Sequence, residues 1–267
     1  MRGTVRVALG LEYDGTAFSG WQAQRSAPAV QTLVEAALTP VAAEPVGLIC
    51  AGRTDAGVHA CAQVAHFDTH ARRASRGWVL GANTNLPADI SIAWARAVPQ
   101  HFHARYSAEA RTYRYYVFNR PVRSALAARG AAWIRQPLDH ERMQNATAAL
   151  VGSHDFSAFR SAESQSHTPT RRVEALNVRR DGEYVIMEIT ANAFLHHMVR
   201  NVAGLLIAIG QGDRDPLWAG RVLESKDRTQ GGPTAPAQGL YLWSVRYSRA
   251  FGLPAPRSAM IAPLPWG

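Results

Sequence analysis

The sequence predicts an α/β protein made of two similar halves. Three observations carry this. Segments that alternate apolar and polar residues recur along the chain, as half-buried strands do. Segments with helical spacing fall between them. And 267 residues are long for one compact core but comfortable for two domains of common size. Hydrophobic residues make up 47% and charged residues 18%, which fits a globular chain and excludes a disordered one.

The first half begins with Thr4–Tyr13, where Val5, Val7, Leu9, Leu11 and Tyr13 share one face. Asp14-Gly15 is a turn signal. Val30–Val41 has helical spacing, with Pro40 near its end. The apolar run Val46–Ala51 reads as a buried strand leading into a loop, Gly52–Gly57. Val58–Asp68 reads as a strand, Trp78–Leu80 as part of a short helix before the loop Gly81–Pro87, and Ile90–Val98 as another strand. The second half opens with an aromatic-rich strand, Ser107–Phe118. Asp139 caps a helix to Leu150, and Gly152–Pro169 reads as irregular. Arg171–Thr190 is a hairpin around Asp181-Gly182. Phe194–Ile209 is a helix closed by Gly210, with His196 and His197 on two of its sides. Asp215-Pro216 opens a helix through Leu223. Gly231–Ala237 is a loop, and Leu240–Tyr247 a closing strand. The segment after Arg249 is Pro-rich and reads as extended or poorly ordered. The expected organisation is an N-terminal half over 1–105, a C-terminal half over 106–247 and a tail over 248–267.

Charge narrows the partners. There are 29 basic and 20 acidic residues, a net charge of +9. A surface this basic suits a polyanion. Lys226 is the single lysine, so 28 of the 29 are Arg, whose fork matches phosphate. Other classes fall away. No apolar run reaches the roughly 20 residues that span a bilayer, and the N-terminus lacks a signal peptide's apolar stretch. The expectation is a cytoplasmic protein with no membrane partner. Cys50 and Cys61 make no disulfide framework. They and His59 and His66 match no zinc spacing, so no metal is expected. No phosphate loop, nucleophile elbow or zinc-deaminase signature is present.

The most informative stretch is Ala51-Gly52-Arg53-Thr54-Asp55-Ala56-Gly57-Val58-His59. Two glycines flank a carboxylate between two strands, which allows close approach of backbone to a ligand. An Asp in such a loop also serves as a plain turn former. Arg53, two residues before, is a cation able to keep the carboxylate ionised.

Gly52–His59 resembles the active-site motif of the tRNA pseudouridine synthase A (TruA) family. Further matches follow in order: Tyr13–Thr16 with Phe18–Gln22, Val30-Gln31, Asn83 with Asn85–Pro87, Phe102–Arg105, Arg111–Tyr115, His154–Phe156 with Phe159-Arg160, Phe194–Asn201 and Gly239–Leu242. The resemblance runs from about residue 4 to 247. It implies a mixed, mostly antiparallel sheet across two α/β halves with the active site in a cleft between them. It implies isomerisation of uridine to pseudouridine in the anticodon stem-loop of tRNA, at positions 38, 39 and 40. No cofactor is implied, and a homodimer is.

Residue roles follow from the same resemblance. Asp55 matches the nucleophile, attacking either C1′ of the ribose or C6 of the ring. Arg200 resembles its cationic partner, and an ionised Asp in a dry cleft needs one. The target base has to be flipped out. Arg53 matches the base-flipping residue. Tyr113 is the stacking platform under the uracil, and Leu240 closes the pocket. Phe102, His103, Ala104, Arg105 and Tyr106, with Glu163, Ser164, Gln165, Ser166 and His167, resemble tRNA-contacting segments. Two other readings stand beside this one. A non-catalytic RNA-binding protein on the same fold would need the charge but not the carboxylate. An Asp-dependent N-glycosidase would release free base.

Overall fold

In the computed structural model, residues 3–24, 27–161 and 168–255 are described. They form two compact units. One holds the chain up to Glu109 together with the segment from Leu242 on. The other is Ala110–Tyr241.

In the first unit β1 (Val5–Tyr13) is followed by a single 3-10 turn, Gly15–Ala17, capped by the Asp14 side chain accepting from Thr16 N–H. Then come α1 (Val30–Ala42), β2 (Ile49–Cys50), β3 (His59–Thr69), α2 (Ser75–Asn83) and β4 (Ile90–Val98). β1 lies between β3 and β4, antiparallel to both. It was expected half-buried, yet Val7 to Leu11 are all buried. The second face is lined by Ala8 and Gly10, small enough for a cover. A Cβ on Gly10 would fall 2.0 Å from the Trp94 indole nitrogen.

The strand expected over Val46–Ala51 shrinks to two residues, with Ile49 44% exposed. The Glu35 carboxylate of α1 takes Leu48 N–H at 2.8 Å, and Gln31 Nε2 reaches Leu48 O at 3.3 Å. Helix side chains thus satisfy backbone that a sheet ladder would otherwise have to pair. The expected loop at Gly81 begins later, because α2 runs to Asn83.

In the second unit β5 (Ala108–Asn119) is followed by β6 (Ala132–Ile134), a short parallel partner of β5 that carries no periodic signal. α3 (His140–Thr147) is capped by Asp139, whose carboxylate accepts from Glu141 and Arg142 N–H. A short β7 (Gly152–Asp155) replaces part of the segment expected to be irregular, since it pairs with β8 (Thr170–Asp181). β9 (Tyr184–Ala191) completes the expected hairpin, with Gly182 at φ +55° in its turn. The strand order here is β5-β9-β8-β7.

α4 (Met198–Gly210) starts four residues later than expected. His197 is left-handed, at φ +62°, and this ends helical pairing on its N-terminal side. His196 and His197 therefore precede the helix, their rings 4.0 Å apart. α5 (Trp218–Ser225) also starts late. Asp215 O accepts from Trp218 N–H, while its carboxylate pairs with Arg221 at 2.7 Å. β10 (Leu240–Tyr247) is as expected, and from Leu242 on it groups with the first unit beside β3. The segment after Arg249, expected extended or poorly ordered, instead begins within a 3-10 turn (Arg249–Phe251) that seats Phe251 5.1 Å from the Phe102 ring. The class is α/β with mostly antiparallel strands. Among the described residues no helix is long and apolar enough to cross a membrane.

Candidate active site

The loop Gly52–Gly57 joins β2 to β3, and buried groups hold it from below. Tyr13 Oη at the end of β1 lies 2.8 Å from Thr54 Oγ1. Gln63 Nε2, on β3, donates to Gly52 O at 2.7 Å and reaches Tyr13 Oη at 3.5 Å. Tyr13, Thr54 and Gln63 are all buried, Gln63 completely. A buried amide of this kind is tolerated only when partnered. Here its partner is the loop.

The backbone is held as tightly. Trp21 N–H donates to Thr54 O at 3.0 Å, Gly57 N–H to Phe18 O at 3.2 Å, and Val58 N–H to Asp55 O at 3.1 Å. The last bond closes a turn in which Ala56 is followed by Gly57 at φ +76°. Gly20 has φ +90°, and a Cβ there would sit 2.5 Å from Thr54 O and 3.0 Å from the Asp55 carbonyl carbon. Two segments therefore approach closely under the carboxylate, and glycine is the residue that permits it. His59 is buried next to the loop. Its Nδ1 accepts from Gly15 N–H at 3.1 Å and lies 3.1 Å from Asp14 Oδ1.

The result is a half-buried Asp55 on a rigid support, with Arg53 exposed two residues before it. Behind them, burial pushes the Cys50 thiol up to about 12, against the pull of Arg53 and Arg105. Cys50 and Cys61 form no disulfide.

The predicted RNA segment Phe102–Tyr106 divides in two. Phe102 and Ala104 are fully buried. Side chains there cannot meet a ligand, and Phe102 instead packs on Tyr247 and Phe251. His103 is half-buried, Arg105 is exposed and Tyr106 is 77% exposed. His103 Nδ1 accepts from both Arg105 and Tyr106 N–H, its ring lies 4.3 Å from the Tyr106 ring, and Arg105 sits over that ring at 5.6 Å. Glu163, Ser164, Gln165, Ser166 and His167 lie outside the described residues.

In the second unit Tyr113 stands on β5, nearly buried, edge-on to Phe194 at 5.1 Å and 86°. Arg200 lies in the first turn of α4. Its Nε donates to Ala235 O at 2.8 Å, and Ala235 N–H returns to Arg200 O at 3.0 Å. The loop before β10 is locked onto α4 by more than this. Asn201 Oδ1 accepts from Thr234 Oγ1 at 2.6 Å and Arg228 at 3.0 Å, and Asn201 Nδ2 donates to Phe159 O. Tyr115 donates to Pro236 O, and burial raises its phenol against the opposing charge of Arg200. Leu240 is buried at the start of β10.

Sequence reasoning overlooked Gln63, Tyr13 and Gly20 as supports. Gln63 did carry a signal, an amide set between Ala62 and Val64 in a mostly apolar stretch of strand.

A family model described as tRNA pseudouridine synthase matches residues 11–107 and 146–248. The chain belongs to this family, whose activity is the isomerisation of uridine to pseudouridine in tRNA. Its relatives are more particular. A protein of Methylococcus capsulatus called tRNA pseudouridine synthase A is 58% identical over 261 residues, spanning 98% of this chain and 96% of that one. Proteins of the same name from Coxiella burnetii and Pseudomonas aeruginosa are 55% identical over 249 residues and 52% over 253. They span 93% and 94% of this chain and 95% and 89% of their own.

Proposed function

We propose that the chain isomerises uridine in the anticodon stem-loop of tRNA, at positions 38, 39 and 40, with Asp55 as the nucleophile. The observation that carries this is a carboxylate on a loop held at two points, Thr54 by Tyr13 and Gly52 by Gln63. Preorganised geometry of this kind serves a reacting group. A surface that only binds RNA does not need it.

The reaction exchanges one bond for another. The N1–C1′ glycosidic bond breaks, the base turns over, C5 bonds to C1′, and C5 gives up its proton while N1 gains one. Nothing is oxidised and no group is lost, so the balance requires no cofactor. Asp55 attacks C1′ or C6 and is released at the end. Tyr113 and Leu240 hold the flipped uracil, Arg200 supplies positive charge for the substrate, and Arg53 takes the place of the flipped base. Stacking on an aromatic ring contributes roughly 1–3 kcal/mol per base, against a few kcal/mol for unstacking the target. His103, Arg105 and Tyr106 contact the tRNA, as do residues 163–167. The working form is a cytoplasmic homodimer.

The test is Asp55→Asn. We expect tRNA binding near that of the parent protein and no pseudouridine by carbodiimide treatment and primer extension. Conversion at the parental rate would remove Asp55 from the mechanism. Free uracil in the parental reaction would instead indicate a glycosidase.

A further inference from the structure

We propose that an arginine-rimmed cavity beside the start of α2 is a second tRNA contact, one that grips backbone phosphates in the body of the tRNA, away from the target uridine. This rests on the tRNA reading above. The cavity measures about 370 Å³. Its lining includes the exposed Arg72, Arg73 and Ser75 and the buried Val7 and Trp78. Arg76 follows one residue on. Arg72, Arg73 and Arg76 are all exposed.

Three cations within five residues repel one another. Among the described residues none of the three pairs with a carboxylate, while Arg73 Nε donates to Val41 O at 3.2 Å. The acid bonded to this segment, Glu44, is already engaged by Thr69 Oγ1 and by His70 N–H at 2.6 Å. Exposed guanidinium groups clustered at one cavity, outnumbering the nearby Glu44 carboxylate, are complementary to a phosphodiester chain. The guanidinium forks take phosphate oxygens.

Position separates this patch from the chemistry. The Asp55 loop enters β3 at His59, and Arg72 follows its other end at Thr69. Eleven residues of strand, ten steps of about 3.3 Å, span roughly 33 Å. That exceeds the screening length of about 8–10 Å at ordinary salt. The arginines therefore act on binding and not on the chemistry at the Asp55 loop. Only an RNA reaching that far engages both ends.

The experiment compares the parent with the combined Arg72→Gln, Arg73→Gln and Arg76→Gln variant. The ligands are full-length tRNA and an isolated anticodon stem-loop. With full-length tRNA we expect Kd to rise about 10-fold or more near 0.1 M salt. The slope of log Kd against log salt should fall by about one for each phosphate no longer held. At saturating tRNA, kcat should stay within about 2-fold. The stem-loop should bind parent and variant alike. A matching Arg→Lys triple variant should recover most of the salt slope, because it restores charge without the fork. Unchanged Kd and slope on full-length tRNA would overturn the proposal. So would an equal weakening on the stem-loop, which would put the patch near the target. A parent protein that makes no pseudouridine would overturn the functional reading instead, so the two failures are distinct.

Discussion

At the scale of single residues, the loop that carries Asp55 depends on buried groups beneath it. Tyr13→Phe removes the hydroxyl 2.8 Å from Thr54 Oγ1 and leaves buried polar atoms short of a partner. We expect a loss of about 1–3 kcal/mol in denaturant unfolding. We also expect a fall in kcat larger than any rise in KM, since the loop carrying Asp55 is loosened more than the RNA surface. A variant with parental stability and kcat would show that the hydroxyl pair does not matter. His66 makes a pH prediction. It is buried, its Nδ1 accepts from Ala104 N–H at 3.1 Å, and burial, aided by Arg6 and His103, pushes it down to about 4. The unfolded chain takes up this proton near pH 6.5 and the folded protein does not. Stability from His66 is thus fully present above about pH 6.5 and is lost as pH falls toward 4, by roughly 3 kcal/mol at most. Unfolding curves of the parent and His66→Gln across that window should differ in slope. Parallel curves would refute the assignment.

At the scale of elements, α4 shows where local pattern stops being informative. Leu195, Met198, Val202, Leu205 and Ile209 are spaced as one helical stripe, and the stripe predicts a start at Phe194. The helix begins at Met198 because His197 is left-handed and His196 O is taken by Ser161 N–H. Spacing cannot report a bond to a residue so distant in the chain. The same helix packs against backbone at Gly204, where a Cβ would lie 1.7 Å from Pro233 O. Gly204→Ala should displace the loop through Ala235, the residue that holds Arg200. We expect it to cost about 2 kcal/mol or more, read as a lower denaturant midpoint, with weakened tRNA turnover. Parental values in both would mean the loop can move aside freely. β2 teaches the converse. Its apolar run is real, but Gln31 and Glu35 of α1 capture its backbone, so hydrophobicity did not become a full strand.

At the scale of the whole molecule, charge and connectivity matter most. A net charge of +9 should make tRNA binding strongly salt-dependent, with Kd rising at least about 10-fold between 50 and 200 mM salt. A flat response in a filter-binding series would contradict an electrostatic RNA surface. Connectivity was the harder matter to read. The segment from Leu242 on groups with the first unit, beside β3, although its neighbours in sequence belong to the second. Nothing local in Leu240–Tyr247 indicates which strand it joins.

The sequence by itself determined the class of fold, most strands and helices, the hairpin at Asp181-Gly182 and the loop bearing Asp55. Those features follow from side-chain period and turn chemistry, which are properties of a few adjacent residues. Tertiary structure alone decided that Tyr13 and Gln63 brace the loop, that β1 is covered on both faces, and that Phe102 and Ala104 turn inward while Tyr106 stays out. It also placed the arginines beside one cavity. Each of these depends on which distant backbone or side chain arrives opposite, and a periodic pattern holds no record of that register.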